Sequence, residues 1–165
     1  MKRVFLFLLL ICLSQSYAQS FTEMTPEGFA AVEFKTPAKT IEKLIELSKS
    51  WAPLYNKDGF DVSHVTENSL TISALKLTAC YYYNIGVRYD YNVRYSLKIV
   101  FQKDGKYTLT FKANEFYANE VLTKTTVADF FTPDGKLKND FKDVKPTLEI
   151  TVDRIIKSYV NFISG

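Results

Sequence analysis

One histidine, His64, and two cysteines, Cys12 and Cys80, are the only imidazole and thiols in this chain. A Ser-His-Asp or Cys-His centre needs a base beside its nucleophile, and here a single imidazole has to serve. Metal sites gather several His, Cys or carboxylate ligands, and one His and one Cys, 16 residues apart, fall short of that. His64 reads as a lone strand residue on a half-exposed face. Cys80 precedes Tyr81-Tyr82-Tyr83 and reads as a buried thiol among aromatics; a reactive thiol needs exposure and a lowered pKa. There is no phosphate-cradling glycine loop and no EF-hand spacing. Asp58-Gly59, Asp104-Gly105 and Asp134-Gly135 read as turns. Glu115 and Glu120 flank Phe116-Tyr117 and are the pair a carboxylate-dependent hydrolase would use. The preferred reading of that pair is the polar end of a strand. The expectation is no cofactor, no metal and no enzymatic activity.

The N-terminus carries an address. Lys2 and Arg3 precede the apolar run Val4–Leu13, and Ser16-Tyr17-Ala18 places small residues before a cut after Ala18. That order describes a secretory signal peptide over residues 1–18. Ten apolar residues rise only about 15 Å as a helix, half the hydrocarbon core, which argues against a stable membrane span. Residues 19–165 are then a single domain, periplasmic or extracellular. Loss of Lys2 and Arg3 lowers the formal net charge from +3 to +1, so no global asymmetry points to nucleic acid or membrane. Loss of Cys12 leaves Cys80 as the one thiol, so the core must hold the domain together without an internal disulfide.

The elements that position these residues follow from hydrophobic period. Phe29–Phe34 reads as a strand. Thr36-Pro37 opens a helix in which Ile41, Leu44, Ile45, Ser48 and Trp51 or Ala52 recur, and Pro53 ends it. A strand from Phe60 to about Thr66 comes next. Leu70, Ile72 and Ala74 alternate with polar residues, then the phase slips to Leu75, Leu77 and Ala79, predicting a bulge near Ala74. Over 88–102, Tyr89, Tyr91, Val93, Tyr95, Leu97, Ile99 and Phe101 share one face; Arg88, Asp90, Asn92, Arg94, Ser96, Lys98 and Gln102 share the other. Asp104-Gly105 turns this strand into a second alternating one, Tyr107–Ala113. Residues 118–146 read as a long irregular connection, too apolar at Val121, Leu122, Val127, Phe130, Phe131, Leu137 and Phe141 to be a free linker. After Pro146, the stripe Leu148, Val152, Ile155, Ile156, Tyr159, Phe162 and Ile163 marks the last helix. The order β-α-β-β-β-β-α with one-sided alternation implies an α+β domain. Its antiparallel sheet of about five strands has both helices on one face and the other face open.

Binding chemistry concentrates on that open face. Arg94, Lys98, Lys106 and Lys112 share it, with Arg88 at one end and Thr108, Thr110, Ser96, Asn92 and Asn114 between. Lys76 can join from the preceding strand, and Asp90 is the only acid placed there. Local positive potential can exist despite near-zero net charge. Cations among hydroxyls and amides suit an anionic glycan, a phosphate-bearing envelope component or an acidic protein surface. Arg94, Lys98, Lys112, Thr108, Thr110 and Arg88 are the candidate ligand-binding residues. The competing reading is a solvated face whose lysines discourage edge pairing. Tyr89, Tyr91, Tyr95 and Tyr107 read as core; the alternative is a Tyr-lined cavity with Phe130 and Phe131 as a lid.

Four features carry a resemblance: the leader, the helix ending near Leu47-Ser48-Lys49-Ser50-Trp51, the hairpin from Tyr95 through Asp104-Gly105 to Leu109, and the C-terminal helix. Together they resemble a family of exported Bacteroidetes domains of unknown function, described as having a TATA-binding-protein-like fold. The likeness spans 28–116 and 147–163. It implies that fold and supplies no activity and no catalytic residues. Similarity of fold to a DNA-binding protein does not imply DNA binding, and no nucleic-acid partner is expected. The alternative fold is a helix-grip domain, its long C-terminal helix lying across a curved sheet around an apolar cavity. The leading functional expectation is a non-enzymatic exported binding domain. Behind it stand a carrier of a small apolar ligand and, last, a carboxylate hydrolase.

Overall fold

The structure, a computed structural model, describes residues 22–124 and 126–165, so the expected leader lies outside the described residues. A short hairpin, β1 (Met24–Thr25) and β2 (Gly28–Phe29), leads into β3 (Val32–Lys35) and helix α1 (Ile41–Tyr55). Four strands follow: β4 (Phe60–Ser63), β5 (Ser69–Asn84), β6 (Val87–Phe101) and β7 (Lys106–Ala118). A short β8 (Val121–Lys124), two 3-10 turns (Val127–Phe130 and Asn139–Phe141) and helix α2 (Val144–Ser164) complete the chain. The sheet order is β3-β7-β6-β5-β4, antiparallel throughout, with β8 against the end of β7. The mixed α+β architecture and the β-α-β-β-β-β-α order are therefore present.

Alternation over 88–102 decides which side is core. Tyr91, Val93, Tyr95, Leu97, Ile99 and Phe101 of β6 are buried, as are Tyr107, Leu109 and Phe111 of β7. Both helices press on this side. Trp51 of α1 meets Tyr159 of α2 edge-on at 5.3 Å, and Tyr159 meets Tyr107 at 6.3 Å. Ser48 and Tyr159 share a buried hydrogen bond of 2.8 Å. Phe29 packs on Phe111 at 5.4 Å, and Phe130 on Phe116 at 4.9 Å. These side chains fill the inner face where a helix-grip cavity would open.

Several local expectations need correction. The cap of α1 is Thr40, whose hydroxyl accepts from the Lys43 amide at 3.3 Å. Thr36 lies earlier because its amide donates to the Gly105 carbonyl at 2.9 Å, prolonging the pairing of β3 with the β6–β7 hairpin. Pro53 sits inside the last turn, where only the bond to the Lys49 carbonyl is forfeited, and α1 continues to Tyr55. The irregularity in β5 lies between Lys76 and Cys80 rather than near Ala74. There Thr78 turns to φ 49° and its amide donates to Asn92 Oδ1 at 2.9 Å. Thr151 of α2 donates to the Ala79 carbonyl at 2.6 Å, occupying part of the strand edge. Two extra residues keep the phase, so Cys80 and Tyr82 remain on the helix side and β5 runs on to Asn84.

The connection after Tyr117 is only partly irregular. It opens as the β7–β8 hairpin, and its Thr132–Gly135 turn closes with the Gly135 amide on the Thr132 carbonyl at 2.9 Å. Phe130 and Phe131 are core residues, not a lid: Phe130 is fully buried against Tyr91, Phe116 and Phe141. Among the described residues no helix is long and apolar enough to cross a membrane.

Candidate functional site

The uncovered face is built row by row from strand register. One row reads Ser63, Thr71, Lys98, Thr110 across β4, β5, β6 and β7; the next reads Asp61, Ser73, Ser96, Lys112. A third carries Leu75, Arg94 and Glu115, and a fourth Ser69, Val100, Thr108 and Glu33. Neighbours within a row stand roughly 4.8 Å apart strand to strand, and successive rows about 7 Å apart. Arg94, Lys98, Lys112, Thr108 and Thr110 therefore share one face. Arg88 stands apart, six residues and about 20 Å along β6 from Arg94. Its guanidinium is held by Asp90 at 2.6 Å and lies over the Tyr81 ring at 4.1 Å.

The cations are not equivalent. Arg94 Nε pairs with Glu115 Oε2 at 3.0 Å, and the Tyr117 hydroxyl donates to the same oxygen at 2.5 Å. That bond to Glu115 is the main reason the Tyr117 phenol sits above its ordinary pKa. Lys106 pairs with Glu33 at 2.7 Å, and the bond raises the Lys106 pKa. Among the described residues no carboxylate pairs with Lys98 or Lys112. These two are diagonal neighbours across β6 and β7 with Ser96 and Thr110 at the other two corners. The acids are more numerous than Asp90 alone: Glu33, Asp61 and Glu115 also reach this face. Lys76 does not. It stands opposite Val93, and its Nζ lies 5.4 Å from the Tyr55 ring centre on the helix side.

A bulge explains why Glu115 was placed by sequence at a strand end rather than beside Arg94. Tyr95 pairs with Ala113, so regular continuation would set Asn114 against Arg94; the register shifts and Glu115 takes that place. Asn114 turns to Ser96, donating from Nδ2 to Oγ at 3.3 Å. Glu120 is exposed in the β7–β8 turn at φ 65°, while Glu115 is engaged with Arg94. His64 is exposed at φ 50° just beyond β4, with Nδ1 3.2 Å from Ser63 Oγ, so it lies outside the strand expected to contain it. Cys80 is buried, and desolvation holds its thiol well above the usual range. Among the described residues no three His, Cys, Asp or Glu side chains gather as a metal site. A surface cleft of about 450 Å³ runs between the helices beside Trp51, Leu54, Tyr55 and Phe162, on the side opposite the cationic rows.

No protein-family model matches the chain, and no curated protein matches it significantly. Solved structures do. A TBP-like protein from Parabacteroides distasonis is similar at a TM-score of 0.60 and 11% identity, over 82% of this chain and 92% of that one. The fold is TBP-like. A DUF4468 family protein from Bacteroides ovatus is similar at a TM-score of 0.58 and 12% identity, over 90% of this chain and 92% of that one. The TBP-like likeness spans nearly the whole of both neighbours, agrees with the resemblance carried by the hairpin and the two helices, and is one of fold.

Proposed function

We propose that this TBP-like domain is a non-enzymatic exported binding module, and that its open sheet face takes a carboxylate- or phosphate-bearing glycan of the cell envelope. The leader-like N-terminus supports export. One observation carries the ligand class. Lys98 and Lys112, free of carboxylates among the described residues, frame a patch floored by Ser96 and Thr110, with Thr71 and Ser73 one strand away. Two lysines at diagonal strand positions, about 7–8 Å apart at the backbone, can share an anionic group and its neighbour along a polymer. The surrounding hydroxyls can donate to and accept from sugar hydroxyls. The rows run across four strands, so a chain-like ligand has a length of open face to lie along.

Titration calorimetry with polygalacturonate and with a neutral glucan tests this. Binding of the acidic polymer, falling by about tenfold or more in Lys98→Ala/Lys112→Ala and weakening with salt, is the expected result. Equal binding by both proteins, or equal binding of the neutral polymer, would remove the face from consideration.

A further inference from the structure

Ten large hydrophobic side chains are exposed among the described residues, and five of them, Tyr83, Ile85, Val87, Val121 and Leu122, belong to the two hairpins at one end of the sheet. Asn92 of β6 pairs with Tyr117 of β7, so the start of β6 and the end of β7 point the same way. Beyond that row β6 continues to Val87 and turns through Ile85-Gly86, while β7 turns almost at once through Asn119-Glu120. At about 3.3 Å per residue, the β5–β6 tip stands roughly 10 Å further out than the β7–β8 tip.

The outer tip is chemically unusual. Ile85 and Gly86 both have positive φ, 49° and 75°, the two-residue turn that favours Asn-Gly. A β-branched aliphatic residue gains nothing from that backbone, and Ile85 is 96% exposed. The arms behind it are aromatic and tightly braced. Tyr82 stacks on Tyr89 at 5.2 Å and on Tyr91 at 5.3 Å, and Phe141 closes on Tyr82. Arg88 lies over Tyr81 with its charge met by Asp90. The result is a rigid projection with an aliphatic point, tyrosines one step behind, and no local charge excess.

We infer that the β5–β6 tip inserts into the outer layer of a lipid bilayer, with Ile85 and Val87 among the acyl chains and Tyr83 at the headgroup level. The depth available, set by the roughly 10 Å lead of this tip, matches the 5–10 Å at which interfacial segments sit. Tyrosine suits the boundary, where one end of the ring is apolar and the other wet. A protein partner fits less well. The three side chains of the projecting tip, Tyr83, Ile85 and Val87, present on the order of 400 Å², against roughly 800 Å² a side in a stable interface. The tip itself, Ile85-Gly86, is a projecting two-residue turn rather than a groove. Because Arg88 is already paired, the contact is apolar-driven and indifferent to lipid charge, unlike binding at Lys98 and Lys112.

Vesicle sedimentation tests this with protein purified from cells expressing the full chain, its processed N-terminus fixed by mass spectrometry. The probe is phosphatidylcholine vesicles at low and high salt. Partition that survives high salt and falls about tenfold in Ile85→Asn is expected, with a smaller fall in Val87→Thr. Asparagine suits the left-handed position, so the thermal midpoint of Ile85→Asn should hold or rise, which separates lost contact from lost fold. Three results would overturn the inference: no partition of the unsubstituted protein, equal partition of Ile85→Asn, or a concentration-dependent dimer that Ile85→Asn abolishes. Retained partition in Lys98→Ala/Lys112→Ala keeps the outcome independent of the glycan reading.

Discussion

The Tyr95 hydroxyl donates to Asn56 Oδ1 at 2.6 Å, and Asn56 Nδ2 donates to the Ala52 carbonyl at 2.9 Å. Both side chains are buried. The middle of β6 is thus tied to the C-terminal end of α1 through one amide, which also caps a helix that has a proline in its last turn. Removing the phenol oxygen leaves a buried acceptor without its donor, which costs about 1–3 kcal/mol. Tyr95→Phe is expected to lower the unfolding free energy by that amount, which moves the urea midpoint down without changing the slope of the transition. Asn56→Ala should cost at least as much, and the double variant should fall short of the sum, because the two share one bond. Additive losses would show that the amide and the phenol act separately.

Alkaline pH should unfold this domain through its tyrosines. Burial pushes Tyr107 up to about 12 and holds Tyr91, Tyr95 and Tyr159 higher still, against an ordinary value of 10.0. The native fold tolerates these phenols only as neutral groups, whereas the unfolded chain ionises them from about pH 10. Between those limits the unfolded state binds fewer protons, so stability falls as pH rises, by about 1.4 kcal/mol per pH unit for each such tyrosine. The stabilisation is whole below pH 10 and lost through the folded values. Urea midpoints at a series of pH values should be flat to about pH 9.5 and then drop steeply. Tyr107→Phe should make the drop shallower, and a flat profile to pH 12 would contradict the burial of these hydroxyls.

Cys80 should be silent in the native state. The nucleophile is the thiolate, and the buried sulfur beside Tyr91 is held protonated by desolvation, with Asp90 adding to the shift. In a chain spanning residues 19–165, a thiol reagent at neutral pH is expected to leave the folded protein unlabelled over hours and to modify Cys80 once urea is added. Rapid labelling without denaturant would require an opening of the β5 edge at Ala79–Tyr81, where Thr151 and Thr147 of α2 reach the strand.

What could be read in advance depended on whether side chains alternate. Tyr89 to Ile99 alternates without interruption, with Val100 the exception beyond it, so its buried and open faces were legible, and with them Lys98, Thr108, Thr110 and Lys112. Cys80-Tyr81-Tyr82-Tyr83 has aromatics on both faces, with Tyr81 packed on Tyr83 outside and Tyr82 on Tyr91 inside. That erases the period, so the extension of β5 and the projecting hairpin were missed. The β7–β8 turn, Asn119-Glu120, lacks the glycine that marks Asp104-Gly105. Pairing of charges was hidden for a different reason: it depends on register. Arg94 meets Glu115 because of a bulge, and Lys106 meets Glu33 because β3, distant in sequence, lies beside β7.

Glu115→Gln separates the cation pair from the ammonium pair. In the native face Glu115 neutralises Arg94 and accepts from Tyr117, so Arg94 adds a charge to its row and Glu115 cancels it. Glutamine keeps the shape and removes the charge. If anions are held at Lys98 and Lys112, a released Arg94 one row away adds attraction to the same polymer. Affinity for polygalacturonate is then expected to rise about two- to fivefold at low salt and to converge on the unsubstituted value at high salt. The fold should be little affected, because the exposed pair contributes roughly 0–1 kcal/mol. Weaker binding by Glu115→Gln would mean that the ordered Arg94–Glu115–Tyr117 group, and not free positive charge, is what the ligand meets, and the role assigned to Lys98 and Lys112 would have to be given up.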